Sequence, residues 1–360
     1  MKILMRSLFF LGCLLALGAC NKSDNSGGAA NSCSTAQLET EMTASLAQAS
    51  SEVDFTYVIE RADGRRFSYN RGASSLTTSY ESASTSKLVT AAVILRLVQA
   101  GTLTLSDRPQ DHIASWPLTN SDPLYSLTLK QLLSFTSGLM AAEPACLSVG
   151  IANFETCVTN IGNANANKTA PPGNQFYYSG NHMQVAGLMA VKALGVSSWS
   201  QVFADFKTAT GLFASSTYDL PSSSNPRLGG GMHWTAQDYM AFLKALAAGT
   251  LLNSAMMTQL LTDQTASATI SYSPVADAMN EDWHYGLGLW HECQNSVYNC
   301  TPAVRVSSPG AYGAYPFWDR SKNYFGIVAR QGSFGSYPKG IAVERTVREK
   351  AESWAACTNN

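Results

Sequence analysis

Ser84 and Lys87 stand three residues apart in "ESASTSKLVTAAVILRLVQAG", residues 81–101, where the lysine heads a run that is otherwise almost wholly apolar. On a helix that spacing puts both side chains on one face, within touching distance. Burial of such a helix strips the ammonium of hydration and lowers its pKa, so a neutral amine becomes available as a base near pH 7. A hydroxyl in the first turn, beside that amine and near the positive end of the helix dipole, has the ingredients of an activated nucleophile. The chemistry this pair could do is acyl transfer through a covalent serine intermediate.

The spacing recurs at Ser336 and Lys339, but that copy spans Pro338, precedes Gly340 and reads as the start of the terminal helix. The elements that must position Ser84 and Lys87 lie on both sides. "VDFTYVIERADGRRFSYNRG" (53–72) alternates and breaks at "ADG", the pattern of a β-hairpin. Residues 88–98 are apolar nearly all round and stop at Gly101, which predicts a helix buried on most sides. Further helices are expected over 128–135, 181–194, 199–210 and 235–249. "HYGLGLWHEC" and "NYFGIVARQG" have strand character, and "IAVERTVREKAESWAA" reads as one closing amphipathic helix. Strands at both ends around a helical middle predict an α/β fold in which a sheet is flanked by helices and carries a helical insertion.

The 360 residues are 45% hydrophobic, enough for a large core, and a net charge of -1 with 14% charged residues leaves no basic stripe for nucleic acid. The opening "MKILMRSLFFLGCLLALGAC" places Lys2 and Arg6 before an apolar run ending in small residues, the pattern of a secretory signal too short for a comfortable membrane span. Its end, "LGAC", looks like a bacterial lipobox, which implies cleavage before Cys20 and lipid on that cysteine. Residues 1–19 are then a signal peptide and 20–32 a lipidated tether. Asn21 at the next position favours the outer membrane, facing the periplasm, in a Gram-negative host. Six cysteines remain for an exported domain, and of the fifteen possible pairings the local choices are Cys146–Cys157 and Cys293–Cys300, with Cys33–Cys357 as a staple between chain ends. CxxC and HExxH are both absent, so no zinc site is expected, and acyl transfer through a serine needs no metal or organic cofactor.

Ser84 and Lys87 in "SASTSKLVTAAVILRLVQAGTLTLSD" resemble the first motif of the serine β-lactamase and penicillin-binding-protein superfamily, most closely its class C β-lactamase and family VIII esterase branch. The second motif of that family, Tyr-x-Asn, falls in "PPGNQFYYSGNHMQVAG", where Phe176, Tyr178, Ser179 and Gly187 take the corresponding places. The third position is Gly180, with Asn181 one residue late. "YGLGLW" (285–290) and then "VSSPGAYGAYPFWD" follow, with Ser308-Pro309-Gly310 where the family carries a basic motif. "LGGGMHWTAQDYMAFLKAL" resembles the family's glycine-rich entry to a helix, and its glycines read as structural. The likeness spans most of residues 53–345. No G-x-S-x-G is present to support a different hydrolase elbow.

The resemblance implies a β-lactamase/transpeptidase-like α/β fold, an antiparallel sheet flanked by helices. Its sheet part would cover about 33–90 and 215–360, and its all-helical part about 91–214. It implies Ser84 as nucleophile, Lys87 and Tyr178 as the proton-transfer pair, and the N–H groups of Ser84 and Ala311 as the oxyanion hole. Asn181, Ser308 and Gly310 would meet the substrate, with Gly310 allowing its close approach to the strand. The uncharged Ser308 favours an ester or amide over a β-lactam or a peptide carboxylate. A β-lactamase or D-amino-acid peptidase is the alternative within the family. A non-catalytic envelope binding protein that retains the fold is the alternative outside enzymology.

Overall fold

The computed structural model describes residues 33–168 and 170–357. The signal segment, Cys20 and the tether fall outside the described residues. The core element is a seven-stranded sheet in the order Arg66–Arg71, Phe55–Arg61, Tyr324–Ala329, Tyr315–Asp319, Arg305–Ser307, Trp290–His291, His284–Tyr285, with every neighbouring pair antiparallel. The N-terminal and C-terminal parts of the chain thus meet in one sheet, as Tyr57 opposite Val328 and Val58 opposite Ile327 illustrate. All six residues of Tyr324–Ala329 are buried, so both faces of this central strand are covered. Helix Ala236–Ala247 packs on it, as does helix Tyr337–Arg345, while helices Thr35–Gln48 and Arg348–Ala356 pack together.

Between Ser86 and Thr210 the helices cluster around Asn181–Leu194. That helix is buried from Asn181 through Val191 and stops where Gly195 takes φ 67°, a conformation that costs glycine little. Against it lie helices Ser86–Gln99, Leu129–Leu133, Phe154–Asn165 and Trp199–Thr210. Thr128 and Gln131 form a reciprocal cap at the start of Leu129–Leu133.

The hairpin, the helices and the "NYFGIVARQG" strand lie where the sequence pattern places them. The closing helix differs. It is two helices, Tyr337–Arg345 and Arg348–Ala356. The Thr346 hydroxyl bonds back to the Val343 carbonyl at 2.7 Å, and Val347 leaves helical geometry with its side chain fully buried. All three expected disulfides, Cys33–Cys357, Cys146–Cys157 and Cys293–Cys300, are formed.

Candidate active site

Ser84 sits in a single 3-10 turn, Ala83–Thr85, that runs directly into helix Ser86–Gln99. Ala83 is held at φ 43°, a left-handed conformation that a residue with a Cβ adopts only under constraint. The constraint comes from the strand Met232–Thr235. The Ser82 N–H donates to the Met232 carbonyl at 2.8 Å, and the Met232 N–H donates to Ser82 Oγ at 3.1 Å. Trp234 Nε1 donates to Thr85 Oγ1 at 2.8 Å, and the Tyr239 hydroxyl to the Thr85 carbonyl at 2.9 Å. The turn is therefore fixed on both sides of the serine.

Ten of the fourteen residues of helix Ser86–Gln99 are buried, Ser86 through Leu95, so the Lys87 side chain is largely withdrawn from water. It is 4% exposed, donates to Ser84 Oγ at 2.9 Å and to the Gly229 carbonyl at 2.7 Å, and lies 4.6 Å from the centre of the Tyr178 ring. Burial lowers its pKa to about 7, the nearby Arg227 cation pushes the same way, and Glu143 opposes both. A large fraction of the amine is then neutral at physiological pH.

Tyr178 is fixed by aromatic packing, with Trp290 stacked at 5.0 Å and Phe135 edge-on at 5.3 Å. Burial drives its phenol well above the ordinary range, while Ser84 and Trp290 beside the hydroxyl act in the opposite direction. It stays protonated and can pass a proton without becoming a stable phenolate. Behind it, His182 is fully buried between the Ser137 hydroxyl, which donates to Nδ1 at 2.8 Å, and the Tyr177 carbonyl, which accepts from Nε2 at 2.9 Å. Desolvation drops its pKa to about 3, so it is a neutral spacer that fixes the Tyr177–Tyr178 backbone. The "YGLG" turn supports the lysine from another side. Gly288, at φ 79°, lies so close that a Cβ there would stand 2.8 Å from the Lys87 carbonyl.

A cleft of about 660 Å³ opens above these groups and is lined by Ser84, Lys87, Tyr178 and Ala311 together. Its outer wall is aromatic, with Tyr177, Tyr272, Trp290, Tyr312, Phe334 and Tyr337. Such a surface suits an apolar or aromatic group of a ligand.

Three expected substrate contacts are placed differently. Asn181 begins helix Asn181–Leu194 and is fully buried behind the cleft, its Nδ2 donating to the Ala141 carbonyl at 2.9 Å. One residue of helix is a turn of ~100°, which is why an asparagine one position late faces away. Ser308 is 3% exposed and its hydroxyl donates to the main-chain carbonyl of Ser84 at 3.2 Å, so it supports the nucleophile turn and does not line the cleft. Gly310 also lies behind the wall. A Cβ there would meet the Ser82 carbonyl at 2.4 Å, so its close approach is to the nucleophile turn and not to a ligand.

Glu143, Arg227, Gly229 and Trp290 line the cleft and were not singled out by spacing. A signal was present for two of them. Glu143 is the only charged residue between Lys130 and Glu155, and Arg227 the only one between Asp219 and Asp238. Among the described residues no cluster of His, Cys, Asp or Glu could hold a metal ion.

A large antiparallel sheet flanked by helices, with a serine and a buried lysine at the head of a central helix, defines a β-lactamase/transpeptidase-like protein. The Beta-lactamase family profile matches residues 56–338, and the chain belongs to that family. Protein flp of Staphylococcus aureus (strain MW2) is 30% identical over 138 residues, 36% of this chain but only 26% of the relative. The chain thus spans about a quarter of the length of that curated relative. A provisional β-lactamase from Bacteroides dorei DSM 17855 superposes with a TM-score of 0.72 at 24% identity, covering 88% of this chain and 98% of its own. EstCE1, a hydrolase with promiscuous acyltransferase activity, superposes with a TM-score of 0.68 at 16% identity over 87% of this chain and 98% of its own. At those identities the two structures establish the shared fold.

Proposed function

We propose that this chain is a serine hydrolase that cleaves an ester or amide through an acyl intermediate on Ser84. The observation that carries the reading is the 2.9 Å contact between Ser84 Oγ and a lysine amine buried deeply enough to hold its pKa at about 7. Neutral Lys87 accepts the hydroxyl proton as Ser84 attacks the carbonyl carbon, and the C=O electron pair moves onto oxygen. The N–H groups of Ser84 and Ala311 receive that oxyanion. Protonated Tyr178 relays the proton to the leaving oxygen or nitrogen as the bond to the acyl carbon breaks. Water then repeats the sequence and frees the acid. No cation stands at Ser308, which supports an ester or simple amide over a β-lactam or a D-amino-acid peptide. The sequence of residues 1–32 adds the proposal that the enzyme is tethered through lipid on Cys20 in the bacterial envelope, facing the periplasm.

The test is covalent labelling with a fluorophosphonate probe, with the adduct mapped by mass spectrometry, followed by turnover of a short-chain nitrophenyl ester and a chromogenic cephalosporin. The reading expects an adduct on Ser84, none in Ser84→Ala, and faster ester than cephalosporin cleavage. A folded chain that does not label, with Ser84→Ala behaving like the parent, would instead make it a binding protein that retains the fold. Rapid cephalosporin cleavage without esterase activity would move it to the β-lactamases.

A further inference from the structure

The glycine at position 180 is coupled to two charged residues on other segments. Glu143 accepts the Gly180 N–H through Oε1 and pairs with Arg227 Nη2 through Oε2. A Cβ at Gly180 would lie 2.9 Å from Glu143 Oε1 and 3.5 Å from Arg227 Nε. An asparagine there would displace the tip of the Glu143 side chain, so the small residue leaves the ion pair its room. The segment that carries Arg227 is also anchored. Its N–H donates to the Leu220 carbonyl at 2.8 Å, and its own carbonyl accepts from Gly230 at 2.9 Å and Gly231 at 2.6 Å. Two residues on, a Cβ at Gly229 would stand 3.4 Å from both Gly180 Cα and Lys87 Nζ, which sets this segment directly beside the catalytic amine.

Both charged side chains line the cleft, and both are about one third exposed. Among the described residues only Nη2 of Arg227 has a protein acceptor, which leaves Nε and Nη1 with donors to offer. The negative charge of Glu143 is already engaged by Arg227 and a backbone N–H. Arg227 and Lys87 are the cations of the cleft lining, and Ser308 contributes none.

We propose that Arg227 is the specificity-determining residue of this site and binds a carboxylate carried on the acyl part of the substrate, with Glu143 and Gly180 holding its guanidinium in position. The substrate class is then an ester or amide of a dicarboxylic acid, cut at one end while the other carboxylate meets guanidinium N–H groups that Glu143 leaves free. A charge-assisted hydrogen bond from a guanidinium favours a carboxylate over a neutral chain end. The inference rests on the acyl-serine reading given above.

The test compares mono-nitrophenyl adipate with nitrophenyl hexanoate, which differ by a carboxylate in place of a methyl group. The parent should favour the adipate ester by about tenfold or more in kcat/KM, carried mainly by KM. R227Q should lose that preference, read as the ratio of kcat/KM for the two esters at one pH so that any change in Lys87 acts on both alike, and R227K should recover part of it. Circular dichroism verifies the fold of each variant, and the parent's preference is readable without any variant. Calorimetric titration of adipate into S84A and into S84A/R227Q reads the site without turnover, with binding expected only in the first. Probe labelling of Ser84 combined with equal turnover of both esters and no adipate binding overturns the role of Arg227 and leaves the hydrolase standing. Arg227-dependent adipate binding without labelling does the reverse.

Discussion

The Ser308 hydroxyl donates to the main-chain carbonyl of Ser84 across 3.2 Å, so the side chain at the position of a basic motif supports the nucleophile from behind. A neutral hydrogen bond of this kind contributes ~1 kcal/mol. Ser308→Ala should therefore lower kcat by less than about tenfold and leave KM unchanged for charged and neutral esters alike. A selective rise of KM for one substrate would mean that Ser308 touches that substrate, contrary to its placement.

Under the proposed mechanism the buried amine of Lys87 makes activity as well as stability respond to pH. Attack needs the neutral amine, so kcat/KM should rise with pH through an acid limb near 7. The groups facing Lys87 are Arg227, Glu143, protonated Tyr178 and neutral His182. Removing the repelling cation in Arg227→Gln should move the limb to higher pH, and Glu143→Gln should move it to lower pH. A limb that stays in place in both variants would rule out Lys87 as the titrating base.

The same group has a stability signature with a definite sign. The lysine titrates at its ordinary 10.5 in the unfolded chain and at about 7 in the fold. Between those values the unfolded state binds the extra proton, so stability rises with pH across that window and is lowest below it. The full difference corresponds to roughly 4 to 5 kcal/mol. Lys87→Met should be inactive and should lack this slope. Chemical unfolding at pH 7 and pH 10 reads the difference, and parallel pH dependence in parent and variant would sink the account.

Gly310 tests how tightly the turn beneath the nucleophile is held. A methyl group there would stand 2.4 Å from the Ser82 carbonyl and 3.1 Å from Thr85 Cγ2, on the residues that flank Ser84. Because a displacement of about 1 Å at a reacting group can cost ~100-fold, Gly310→Ala should reduce the rate of probe labelling by about that factor in a folded protein. Labelling at the parental rate would show that the strand can move away freely.

The first motif was legible because its geometry is local. The 3-10 turn that carries Ser84 runs straight into the helix that carries Lys87, so a spacing of three brings the two side chains together, and the apolar run after Lys87 announces the burial that depresses its pKa. Tyr178 could be placed through its neighbours in the chain. Asn181, Ser308 and Gly310 could not, because their roles depend on which way a side chain turns against distant segments: Ala141 for Asn181, Ser84 for Ser308 and Ser82 for Gly310. Glu143 and Arg227 are 84 residues apart and meet only in the folded chain. Their isolation among uncharged neighbours was the one visible trace. The split of the terminal helix escaped for a related reason, since the pattern of "IAVERTVREKAESWAA" is amphipathic throughout and the break lies in the burial of Val347.

The chain ends supply a last prediction. The Cys33–Cys357 bridge joins residues 324 apart in sequence, and the polar contacts around it are extensive. Arg61 donates to the carbonyls of Ala355 and Cys357 at 2.7 and 3.0 Å, Arg65 to that of Trp354 at 2.7 Å, and Trp354 Nε1 to Glu39 at 2.8 Å. These contacts hold the first and last helices on the sheet edge formed by the hairpin. Closing so long a loop restricts the unfolded chain, and loss of such a bridge removes about 2–4 kcal/mol. The double variant Cys33→Ser/Cys357→Ser should unfold at lower denaturant by that amount while keeping ester turnover at 25 °C, because neither cysteine lines the cleft. A matching fall in kcat under native conditions would mean that the staple also positions the site.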